Sequence, residues 1–140
     1  MLFFTKTNHM EEKHNLATHQ RPDGARPLDA ALIPTDIFKL NNQLIGEVAY
    51  QKNGKNAITV FKSDKVTITV IALKANHEFH PGIEEKEATM SLQVISGHLI
   101  FDSFGNEINL NDGQLLTLHQ ELSFKAMAKS DVLCVLTMLK

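Results

Sequence analysis

Of the 140 residues only one, Cys134, is a cysteine. A lone cysteine cannot close an intrachain disulfide, so nothing points to an oxidising compartment. It lies in the apolar run "VLCVLTML", where the role of a small buried hydrophobe suits it best. No apolar run approaches the roughly 18 residues that cross a bilayer, so no membrane partner is expected. The opening "MLFF" is too short for a signal-type apolar segment and is followed within two residues by Lys6. A cytoplasmic location is the expectation. Basic charge is not in excess: 14 Lys and Arg stand against 16 Asp and Glu, for a net charge of −2. The basic residues are scattered, which argues against nucleic acid as a partner. Internal repeats, low-complexity tracts, nucleophile motifs, phosphate loops and dinucleotide fingerprints are all missing.

What is present reads as one domain with length enough for a core. Hydrophobic residues make up 43% and charged residues 21%, ordinary proportions for a globular protein. Residues 1–27 form a polar arm without a sustained period. His9, His14 and His19 recur there at intervals of five, which does not stack them on one helix face. Residues 35–45, "TDIFKLNNQLI", predict one short helix, with Thr35 as N-cap, Asp36 in the first turn and Gly46 as the stop. From residue 56 the period becomes two. The runs "AITVFKS" and "VTITVIAL" flank a hairpin turn near Ser63–Lys65. "ATMSLQVIS", "HLIFDSF", "NEINL", "QLLTL", "LSFKAMA" and "DVLCVLTML" follow, several of them parted by Gly97, Gly105-Asn106, Asp112-Gly113 or Ser130-Asp131. About eight short strands at this spacing predict an all-β barrel or sandwich. The closing strand is apolar on both faces and should be well buried.

The stretch "LQVISGHLIFDSFGNEINLNDGQLLTL" carries a family likeness. The apolar strand ending in Gly97 resembles the end of the first cupin motif, and "LNDGQLLTL" resembles the approach to the second. "NAITVFKSDKVTITVIALKA" is similar to the lead-in of small single-domain bacterial cupins with no settled activity. The resemblance covers residues 56–139. It implies a jelly-roll β-barrel (a double-stranded β-helix) within a domain spanning 28–140, preceded by the arm.

The resemblance also places the family's metal ligands, three histidines and one glutamate. Anchored on Gly97, the glutamate position holds Met90. The two neighbouring histidine positions hold Glu84 and Lys86, or Ile83 and Glu85. Anchored on Gly113, the proline position holds His119 and the last histidine position holds Phe124. Thioether and phenyl groups do not suit a divalent ion that prefers nitrogen and oxygen donors. The expectation is therefore no metal cofactor. The alternative is one divalent transition metal ion held by His77, His80 and Glu84 of "HEFHPGIEEKE", with His119 at the mouth and Glu121 nearby to orient it.

In the cupin register Met90, Leu92 and Val94 face inward from one strand, opposite Phe124 and Ala126. With His119 they line whatever cavity the barrel holds. Either side chains fill it, or it takes a small apolar or amphipathic ligand. The reading that follows is a metal-poor binding or structural module, forming a homodimer through its arm and open strand edges. The alternative is a metal-dependent cupin enzyme of the dioxygenase or isomerase kind, and Phe124 is the residue that separates the two.

Overall fold

The computed structural model describes residues 12–22, 24–80, 89–119 and 124–140. Strands β1 (Lys13–Asn15) and β2 (Arg26–Asp29) come first, then helices α1 (Ile37–Gly46) and α2 (Val48–Asn53). The remaining strands are β3 (Lys55–Lys62), β4 (Val66–Leu73), β5 (Glu78–Phe79), β6 (Thr89–Ser96), β7 (Leu99–Ser103), β8 (Asn106–Leu110), β9 (Leu115–His119), β10 (Lys125–Ala128) and β11 (Val132–Leu139). One sheet runs β3-β4-β11-β6-β9 and a second runs β5-β10-β7-β8, with antiparallel pairing throughout. β1 and β2 form a separate antiparallel pair.

The period of two explains both layers. On β4, Ile71 and Leu73 enter the interior between the two large sheets, while Val70 and Ala72 face the helices. β11 divides likewise: Val132, Cys134 and Leu136 point inward, and Leu133 points out beneath α1. This is why the closing strand is apolar on both faces. α1 covers the outer face with Leu44, which is wholly buried, flanked by Ile37 and Leu40. Burial of such side chains, at roughly 1.5–3 kcal/mol each, drives the packing of this short helix.

Turn chemistry sets the register. Ser63 Oγ accepts from Val66 N at 3.1 Å and from Lys65 N at 3.3 Å, closing the β3–β4 hairpin. Between β7 and β8 the turn is centred on Phe104 and Gly105, both at positive φ, and Asn106 already belongs to β8. The expected Gly105-Asn106 turn is thus shifted back by one residue.

Two further expectations need correction. The N-cap of α1 is Asp36, not Thr35: its carboxylate accepts from Lys39 N at 3.1 Å. α1 does end at Gly46, but it is not the one helix expected, because α2 follows after the extended Glu47. The arm, read as a polar segment without a sustained period, holds β1 and the start of β2, and its described residues contact this chain's own β3 through Arg26 and the junction of the two helices, at Glu47, through Arg21.

Candidate functional site

The barrel interior holds five of the six residues expected to line it. Met90, Leu92 and Val94 on β6 meet Ala126 of β10 and Phe124 just before it, and all five are buried in one cluster with Phe79, Phe101, Leu118 and Cys134. The Phe124 ring lies against Phe101 with centroids 4.5 Å apart and planes tilted by 35°, a favourable offset aromatic contact. Burial pushes the Cys134 thiol up to about 12, so it is no nucleophile.

His119 is the sixth, and it is elsewhere. It ends β9 opposite Thr89 and is exposed, while its neighbour Leu118 pairs with Met90 and is buried. Alternation along the strand turns His119 to the outer face. Its proposed orienter Glu121 lies outside the described residues.

The histidines of the 77–87 stretch separate as well. His77 packs its ring against Gly54 at the end of α2, and its Nδ1 lies 3.1 Å from the Ala75 carbonyl. His80 is exposed, with Nε2 3.5 Å from Glu78. It lines a shallow recess of about 330 Å³ with Asp102, Phe104, Gly105, Phe124 and Lys125. Glu84 lies outside the described residues. Among the described residues no three His, Cys, Asp or Glu side chains are grouped to hold a metal ion. The donor set at the family's metal positions, Met90 and Phe124, does not fit a divalent ion.

The two glycine turns meet near Asp131. Gly97 N donates to Asp112 Oδ1 at 2.6 Å, and Gly113 N donates to the Val94 carbonyl at 2.7 Å. Gly97 has φ of 106°, and a Cβ there would run into the Asp131 carbonyl. The likeness carried by these glycines therefore has a structural basis: they lock the β6–β7 turn onto the approach to β9.

A second polar region was not visible in the sequence. Arg21 Nη2 donates to Glu47 Oε1 at 2.8 Å, and Nε donates to both carboxylate oxygens at 3.1 Å. Asn56 Nδ2 donates to the same oxygen at 2.8 Å and to the Leu44 carbonyl at 3.0 Å. This network ties arm, helices and β3 together beside a cleft of about 740 Å³. A pairing across 26 residues, between an arginine in a polar arm and a glutamate after a helix stop, has no periodic signature.

Two antiparallel sheets closed over one apolar interior, with the paired glycine turns at one end, define a cupin-type jelly roll. Comparison with solved structures agrees. The chain is similar to the Cupin_2 domain of an XRE family transcriptional regulator from Enterobacter cloacae, with a TM-score of 0.58 and 17% identity over 62% of this chain and 97% of the other. It is also similar to an RmlC-like cupin protein from Desulfovibrio desulfuricans, with a TM-score of 0.60 and 20% identity over 69% and 92%. A conserved protein of unknown function from Streptococcus pyogenes matches with a TM-score of 0.57 and 14% identity over 81% and 90%. No family model and no curated protein matches the sequence. At these identities the likeness is one of fold: the chain is a cupin-fold protein. Among the described residues no helix is long and apolar enough to cross a membrane.

Proposed function

We propose that this cupin-fold protein is a binding module without a catalytic metal, in which the barrel interior is a packed scaffold and not a reaction chamber. The observation that carries this reading is Phe124. The family resemblance assigns that position to a metal-binding histidine, and here a buried phenyl ring fills it and stacks on Phe101. Met90, at the glutamate position, is buried in the same cluster. A catalytic metal needs about three protein ligands, and these two residues remove donors from both sheets. The enzyme alternative would need His77 and His80 to converge, and the two lie against different neighbours, Gly54 for His77 and the Phe104–Lys125 recess for His80.

Thermal unfolding of the full chain with added Fe(II), Mn(II), Ni(II) or Zn(II) tests the reading. Little change in Tm is expected, since a ligand stabilises only in proportion to its binding of the native state. A saturable rise that disappears in His80→Ala would reverse the reading in favour of the enzyme.

A cytoplasmic homodimer is part of the same proposal. Helix α1 covers only part of the five-stranded sheet's outer face, and Gln93 and Leu115, paired across β6 and β9, are exposed beyond it. Light scattering at micromolar concentration should give twice the chain mass, and a monomer there would remove the dimer from the account.

A further inference from the structure

The cleft between the arm and α2 carries a charge pattern that the barrel reading leaves unused. It is lined by Arg21, Arg26 and Lys52, with Glu47 as the carboxylate among the described lining residues. Glu47 is already engaged: it accepts from Arg21, Asn56 and Gln43. Among the described residues the arginines are not saturated. Arg26 spends Nε on the Thr59 carbonyl and Nη1 on the Gly24 carbonyl. Among the described residues its Nη2 meets no acceptor, and neither does Arg21 Nη1. Burial and the charge of Arg21 both push the Arg26 guanidinium below its ordinary value, and Glu47 offsets them only in part. Among the described lining residues, two guanidinium groups and a lysine stand against one committed carboxylate, which leaves the cleft an excess of positive charge. A guanidinium fork matches the paired oxygens of an anion, and partial burial strengthens that contact relative to water.

We propose that this cleft binds a small molecule bearing an oxyanion, with Arg26 and Arg21 as its anchors and Lys52 at its rim. The site is distinct from the barrel interior, so it stands whether or not the barrel is catalytic. The fixed ends of both guanidinium groups hold them in place before the ligand arrives: Arg21 by Glu47, and Arg26 by two backbone carbonyls. Such preorganisation lowers the ordering cost of binding.

Calorimetric titration of the full chain, at constant ionic strength in a buffer free of other oxyanions, tests the proposal. Citrate and inorganic phosphate are the probes, and whichever binds more tightly distinguishes a carboxylate ligand from a phosphate ligand. Saturable binding of one equivalent of at least one probe is expected. Arg26→Gln should weaken it about tenfold or more, the scale of one lost charge-assisted contact. Arg26→Lys, which keeps the charge and loses the fork, should fall between. Lys52→Ala, on an exposed helical turn where folding is safe, should weaken binding a few-fold, and His98→Ala, just before β7 and outside the cleft lining, should not. Absence of saturable binding for both probes up to the low-millimolar range would overturn the proposal, as would affinities indifferent to both Arg26→Gln and Lys52→Ala.

Discussion

Arg21 and Glu47, 26 residues apart in the chain, meet in a two-pronged ion pair whose shortest contact is 2.8 Å, with both side chains less than one-fifth exposed. The pair fastens the arm to the junction of the two helices. For the Glu47 carboxyl, burial alone would raise the pKa, but hydrogen bonds from Arg21, Asn56 and Gln43 outweigh it and hold the group below its ordinary 4.5.

A carboxyl whose pKa is depressed by folding stabilises the native state above its unfolded pKa, and this is lost as pH falls through the folded value. Stability should therefore be level from neutral pH down to the ordinary glutamate range and then decline. Glu47→Ala should flatten the Glu47 contribution to that decline and cost about 1–3 kcal/mol at neutral pH, because it strands the Arg21 guanidinium. Urea unfolding of both proteins at a series of pH values reads this directly. A variant as stable as the parent at neutral pH would mean the arm is not held by this pair.

Phe124 makes the packing claim measurable. Phe124→Ala removes a ring that is 9% exposed and stacked on Phe101. Buried aromatic truncations cost about 3–5 kcal/mol, and denaturant unfolding should return a loss in that range. A change within about 0.5 kcal/mol is what surface positions give, and would place Phe124 outside the core.

Gly97→Ala tests the glycine turn. The left-handed backbone and the Asp131 carbonyl both oppose a Cβ at this position, while Gly113 has open space around its own. Gly97→Ala should thus lower Tm more than Gly113→Ala, each paying the cost of a positive φ but only the first paying for a clash. Equal losses would remove the steric part of the argument.

Cys134 should be silent toward thiol reagents in the native protein at pH 8, since its thiol is wholly buried and titrates near 12. In denaturant it should react fully and quickly. Fast native labelling would show that β11 opens readily.

Much of the barrel was legible because strand alternation is local. β4 and β8 coincide with the apolar runs at 66–73 and 106–110, and the others differ from expectation by a few residues at their ends. The inward positions Met90, Leu92, Val94 and Ala126 follow from the same period. His119 was misplaced because it was located by counting from Gly113, whereas its orientation is set by pairing opposite Thr89. The short β5, with only two residues, has no period to detect. The arm hairpin and the Arg21–Glu47–Asn56 network were invisible because they join residues distant in sequence through charge and hydrogen bonding, which leave no repeat.

The central claim, a cupin barrel whose metal positions have been given over to packing, is tested most directly by elemental analysis of protein purified without an affinity tag or added metal. The account predicts much less than one equivalent of Fe, Mn, Ni or Zn per chain, because Met90 and Phe124 stand where ligands would be needed. One tightly held equivalent, lost when His77 or His80 is replaced by alanine, would contradict it.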